Sequence, residues 1–227
     1  MFLLFVLGSL TLLAGLAWAT YQSGRLLRSI PLRENLLLAP VENGVKLALV
    51  GLCVGLGLLS GVAPAHLGWT LEHPTRDLAI GLAVGLVVPF AVNRLTLWAI
   101  ARWGKGVYSP VVIRNIIPRT RRDWLLVPAA MLLAVLLEEM LFRSLLLGGL
   151  GAVIPPLLLI IPLGIIFGWM HGPQGPLGVL VAGALGIGLS LLFLWTGGLL
   201  APLVAHYLIN ALQLVRAREE WRWLQEY

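Results

Sequence analysis

Hydrophobic residues gather along the chain in seven long stretches, roughly 1–20, 45–63, 78–100, 125–147, 151–170, 177–195 and 198–215, with shorter polar segments between them. Each approaches the ~20 residues with which a helix crosses the hydrocarbon core of a bilayer. The pattern predicts an all-α polytopic transmembrane helical bundle of about seven spans. The first stretch ends near Ala17-Trp18-Ala19, a faint cleavage-site pattern. Yet no Lys or Arg precedes it, and it exceeds the ~7–15 apolar residues of a signal core. It is expected to be a retained first span. Within the stretches, small residues recur at four-residue spacing: Gly51 and Gly55, Gly81 and Gly85, and Gly178, Ala182 and Gly186. These are expected to let helices approach closely, without carrying chemistry.

Composition agrees. Of 227 residues, 59% are hydrophobic and 11% are charged, where a soluble domain carries about 25% charged residues. The lipid bilayer is therefore the first partner. The formal charge of +6 does not point to nucleic acid, because its placement suits membrane orientation instead. Segment 21–44 holds Arg25, Arg28 and Arg33 against Glu34 and Glu42. Segment 94–123 holds Arg94, Arg102, Lys105, Arg114, Arg119, Arg121 and Arg122 against Asp123, and the C-terminal end adds Arg216, Arg218 and Arg222. Segment 64–77 is poor in cations. This alternation places the N-terminus outside and the C-terminus in the cytoplasm; the membrane expected is a bacterial cytoplasmic one. Trp98, Trp103, Tyr108 and Trp124 lie among the cations of 94–123, as in a piece resting in the headgroup layer, and Trp221 and Trp223 give the tail 217–227 the same character. The single cysteine, Cys53, can form no intramolecular disulfide and reads as a packing residue.

One apolar stretch contains "LLEEMLFRS", residues 136–144. A carboxylate at the bilayer centre costs about 2.5–3.5 kcal/mol on insertion scales. Glu139 and Arg143 stand at i and i+4 on a helix, acid first, and can neutralise each other. Glu138 points about 100° away and must face another element. Later stretches supply "FGWMH", with Phe167 and His171, and "HYLIN", with His206 and Asn210 one turn apart on one face. His66 and His73, in a Pro-containing loop, read as ordinary solvated residues. One carboxylate, two imidazoles and an amide converging in the membrane could activate water and stabilise an oxyanion. Glu138, His171 and His206 are also candidate ligands for a divalent metal such as Zn²⁺ holding water in its fourth position. No HExxH helix is present, so spacing alone does not assign a metal.

"EEMLFR" fits EExxxR, "FGWMH" fits FxxxH and "HYLIN" fits HxxxN. In this order, on successive stretches over about residues 125–215, they resemble the CPBP family, the type II CAAX prenyl endopeptidases and their Abi-type relatives. The resemblance divides the chain into N-terminal spans with a basic cytoplasmic segment (1–123), a catalytic helical core (124–216) and the interfacial tail. It implies an intramembrane endopeptidase, labelled a metalloprotease family, acting on a membrane-associated peptide or protein, prenylated or of leader type. Glu138 and His171 would activate water, His206 and Asn210 would stabilise the oxyanion, and Glu139, Arg143 and Phe167 would hold the geometry. The readings set against it are a non-catalytic membrane scaffold or immunity protein of the same fold and a transporter with a Glu/His proton relay. Against the relay, the halves show no inverted repeat.

Depth is the difficulty. Glu138 falls mid-stretch, His171 at the end of its own and His206 in the first half of its own. Pro155, Pro156 and Pro162 are expected to break or shorten the fifth helix. "HGPQGP", residues 171–176, is expected to turn without helix at membrane depth. Glu138 and His171 should then meet within a water-bridged reach of about 10 Å.

Overall fold

The computed structural model describes residues 1–29 and 35–219, so Arg33, Glu34, Arg222, Trp221, Trp223 and most of the predicted interfacial tail lie outside the described residues. All seven apolar stretches are helical: α1 (Phe2–Ser29), α2 (Pro40–Leu59), α3 (Pro74–Trp103), then, past the short α4 (Val111–Ile116), α5 (Arg121–Glu139), α6 (Pro156–Met170), α7 (Gly175–Thr196) and α8 (Leu200–Glu219). Five helical stretches are long and apolar enough to cross a membrane: Phe2–Leu27, Pro40–Leu59, Pro74–Trp103, Arg121–Ala152 and Gly172–Thr196. The 15-residue α6 is shorter, and α8 ends in charge at Arg216, Arg218 and Glu219. The outer surface is apolar, with Leu86, Val87, Phe90, Leu180 and Trp195 all exposed. That surface suits lipid, and the chain is an integral membrane protein.

The long helices run back and forth between two ends of the bundle. The C-terminus of α3, the N-termini of α5 and α7 and the C-terminus of α8 gather at one end, which carries most of the Arg and Lys residues and is called the basic end below. There, α5 opens with a capping box in which Thr120 Oγ1 accepts from the Asp123 amide and the Asp123 carboxylate accepts from the Thr120 amide. Segment 94–123 differs from the single interfacial piece expected. Its first ten residues prolong α3 to Trp103, and its remainder is tied into the fold through Asn35, whose Nδ2 donates to the carbonyls of Ile116 and Ile117. At the opposite end, Gly197 ends α7 in the left-handed region at φ 74°, and the amide of Leu199 donates to Gly68 O at 3.0 Å.

Packing follows the small residues only in part. Gly81 and Gly85 meet α8 closely: a Cβ on Gly85 would stand 2.7 Å from the Leu208 Cβ. Gly164 and Gly168 of α6 meet Gly183 and Ile187 of α7 in the same way. Gly51 and Gly55 correct the expectation, because nothing lies within 4 Å of where their Cβ atoms would be. Their face of α2 looks out of the bundle, since the buried face is set by Cys53, Leu56 and Gly57.

Candidate active site

The polar residues of "LLEEMLFRS" sit where the backbone changes its winding. α5 ends at Glu139 and continues without a break as a π-helical segment, Met140–Gly149, all ten residues of which are buried. The amide of Met140 is shared between the carbonyls of Leu136 and Leu137 at this junction. The sequence reading placed an ordinary helix over 125–147. A π-turn widens the ladder to i→i+5 and is often found at functional sites; Leu141, Leu145, Leu146 and Leu147, all at most 1% exposed, pack the wide segment into the main hydrophobic core.

Glu139 is fully buried and Arg143 is 1% exposed. Arg143 Nη1 donates to Glu139 Oε1 at 3.0 Å, as the spacing predicted. Arg143 Nη2 reaches across to α7 and donates to the Gly186 carbonyl at 3.1 Å. Ser190 Oγ donates to that same carbonyl at 2.8 Å. The sequence reading gave Gly186 a packing role only, and Ser190 none. Gly186 is held close: a Cβ there would stand 3.2 Å from the Phe167 side chain.

His206 comes in from α8. Its Nδ1 lies 2.6 Å from Glu139 Oε1. A carboxylate oxygen at that distance accepts, so Nδ1 carries the proton and donates. Nε2 therefore points the other way, and it lies 3.6 Å from Glu138 Oε2. That is beyond a hydrogen bond and within the reach of a bridging oxygen. Glu138 thus meets a partner on another element, as its angle on the helix required. Its side chain is 34% exposed, while its Oε2 is buried and makes no hydrogen bond within the described residues.

Phe167 is the hub of the remaining contacts. Its ring stands edge-on to Phe142 with centroids 5.0 Å apart, receives the Arg143 guanidinium at 5.0 Å, and touches the rings of His171 at 4.7 Å and His206 at 6.0 Å. The two imidazoles are thus neighbours of one phenyl ring. His171 closes α6, and its Nδ1 lies 2.7 Å from the Phe167 carbonyl. A carbonyl only accepts, so Nδ1–H donates and Nε2 is left for other work. The imidazole nitrogen within 4 Å of Glu138 comes from His206. Asn210 sits half-buried one turn beyond His206 on α8.

The expected shift of boundaries is present. α6 starts at Pro156, not 151, with Pro155 at its N-cap, and Pro162 sits inside it without ending it. Gly172–Gln174 forms a tight 3₁₀ turn, whose Gln174 carbonyl accepts from the Ser109 amide at 2.8 Å. Among the described residues, no three His, Cys, Asp or Glu side chains group to hold a metal ion. The candidate ligands Glu138, His171 and His206 are therefore not gathered into one set, and His206 Nδ1 is already committed to Glu139.

His66 and His73 are exposed on the loop at the opposite end, and Cys53 is fully buried in the core. No curated protein and no solved structure matches the chain significantly. Residues 120–212, from the capping Thr120 of α5 to two residues past Asn210, match the family model described as Type II CAAX prenyl endopeptidase Rce1-like, the family to which the three motifs pointed.

Proposed function

We propose that the chain is an intramembrane endopeptidase that hydrolyses a peptide bond in a membrane-associated peptide or protein through water activated by Glu138. The family match over the residues of the site supports a membrane protease. The observation that carries the mechanism is the facing pair: Glu138 Oε2, buried and without a hydrogen bond, lies 3.6 Å from a His206 Nε2 whose ring is oriented from behind by Glu139.

A water between these groups gives a proton to the Glu138 carboxylate as its oxygen attacks the scissile carbonyl carbon. The C–O bond forms and the carbonyl π pair moves to oxygen. With a proton on Nε2, His206 donates to that oxyanion, and the Glu139 carboxylate at Nδ1 supports the positive ring. The Asn210 amide, one turn along the same helix, is the second donor. Collapse of the tetrahedral species breaks the C–N bond, and the proton on Glu138 passes to the leaving amine. His171 Nε2, its ring fixed by the Phe167 carbonyl, takes and returns protons beside this exchange. Arg143 counters the Glu139 charge, which leaves Glu138 as the acid of the pair that reacts. The basic end faces the cytoplasm in this reading, and the N-terminus lies outside.

The test compares membrane peptides by mass spectrometry from cells expressing the wild-type chain and Glu138→Ala. Peptides that accumulate uncut only in the variant support the protease. Identical peptide sets with an unchanged phenotype would leave the chain a scaffold, and proton-coupled flux in liposomes that the same variant abolishes would make it a transporter.

A further inference from the structure

α3 and α7 lean on different neighbours. α3 packs through Gly81 and Gly85 onto α8, whereas α7 packs onto α6 through Gly183 and Ile187. A cleft of about 710 Å³ opens between α3 and α7, running from Val84 and Trp195 to Leu95 and Val181, with Ile209 of α8 in its lining. No charged, hydroxyl or amide side chain lines it; every lining residue is Val, Ala, Leu, Ile, Gly or the one Trp. Glu138, His171 and His206 are not among them.

The cleft continues toward the basic end. Val92 and Val181 also line a second pocket of about 320 Å³, where the polar side chains Asn93, Thr96, Gln174, Gln213, Arg216 and Glu219 converge. The combined space is therefore an apolar trough with a polar mouth. Its mouth lies at the end where the cations of the chain collect, which suits an anionic group.

The chemistry of the trough selects its occupant. An extended peptide would place N–H and C=O groups where no side chain can receive them, at a cost of several kcal/mol each. A helix satisfies its own backbone but is too wide. Positions 84 to 95 of α3 span about 16 Å at 1.5 Å per residue, so 710 Å³ corresponds to a cross-section of roughly 40 Å². A helix of ~10–12 Å diameter needs roughly twice that or more. A hydrocarbon chain fits.

We propose that the cleft binds one membrane phospholipid, with an acyl chain along α3 and α7 and the phosphodiester headgroup at Gln174, Gln213 and Arg216. The lipid sits apart from the peptide-cleaving residues, so its binding does not depend on the protease reading. Gly188 offers the means to close the trough, because it lines the cleft and nothing lies within 4 Å of where its Cβ would be. Native mass spectrometry of the full chain, released from detergent after incubation with 1-palmitoyl-2-oleoyl phosphatidylglycerol, should show a single retained lipid. Gly188→Phe should reduce that adduct at least tenfold, and Arg216→Gln should reduce it severalfold. Unfolding temperatures in lipid-free detergent report whether each variant is folded, and Ala184→Leu replaces Gly188→Phe if the latter is not. An adduct that folded trough variants retain in full, or one insensitive to Arg216→Gln, overturns the proposal. So does a wild-type chain that carries no lipid, or that closes the cleft by forming a dimer.

Discussion

His206 Nδ1 donates to Glu139 Oε1 across 2.6 Å, joining residues 67 apart in sequence. The same oxygen accepts from Arg143. Glu139 therefore does two things at once: it is the counter-ion of a buried guanidinium and the support that aims an imidazole at Glu138. A catalytic ring needs such a fixed orientation, since its free nitrogen acts only where it points.

Removing that support should unfold the site before it merely slows it. Glu139→Gln leaves Arg143, which is 1% exposed, without the carboxylate it is hydrogen-bonded to. Breaking a buried pair from one side costs about 3–5 kcal/mol. Thermal unfolding in detergent should show a loss of that size. The double variant Glu139→Gln/Arg143→Met should recover part of it, because it leaves no charge stranded. A double variant no more stable than Glu139→Gln would show that the stranded guanidinium is not the source of the loss.

Glu138→Gln should do the reverse. Its side chain is 34% exposed and its buried Oε2 makes no hydrogen bond within the described residues, so replacing the charge with an amide breaks no native hydrogen bond of that oxygen. Stability should change by less than about 0.5 kcal/mol, while cleavage of a natural peptide substrate should fall by roughly 10²–10⁴, the usual contribution of a general base. Retained cleavage would remove Glu138 from the proposed reaction.

Glycine substitutions separate helix contact from small-residue spacing. Gly85→Ala places a Cβ 2.7 Å from that of Leu208 and 3.2 Å from the Ala205 backbone, and overpacking of this kind costs about 1–3 kcal/mol. Gly51→Ala meets nothing within 4 Å and should leave stability unchanged or raise it by about 0.4–1 kcal/mol. Equal losses for the two in unfolding measurements would mean that α2 meets a partner face in the membrane.

Much of this was legible in the chain because the chemistry is local. Seven apolar stretches are seven helices, five of the helical stretches long and apolar enough to span a membrane, and the Glu139–Arg143 pair followed from i, i+4 spacing alone. The partner of Glu138 was predicted only as something on another element, since a helix angle gives a direction and not a neighbour. The π-helical winding of Met140–Gly149 could not be read. It requires i→i+5 bonds that ten buried residues sustain through tertiary packing, and no propensity in "MLFRSLLLGG" distinguishes it from an α-helix. The Gly186 carbonyl was likewise invisible: a backbone oxygen carries no residue code, and its role depends on where Arg143 and Ser190 reach. Gly51 and Gly55 show the opposite error, a pattern that matches close packing on a face that packs against nothing described.

His171 offers a test that divides holding from reacting. Its Nδ1–H is spent on the Phe167 carbonyl at 2.7 Å, and its ring lies against the Phe167 ring. An asparagine carries an amide N–H at about the place of Nδ1 but has nothing where Nε2 stood. His171→Asn can therefore keep the hydrogen bond that closes α6 while deleting the nitrogen assigned to proton transfer. Its stability should lie within about 1 kcal/mol of wild type, the worth of one ordinary hydrogen bond. Cleavage should fall by roughly 10²–10⁴ if Nε2 takes part in the proton exchange. His171→Ala should lose both the bond and the activity. If His171→Asn is as active as wild type while His171→Ala is unstable, His171 is an anchor for the end of α6, and Glu138 works with His206 alone.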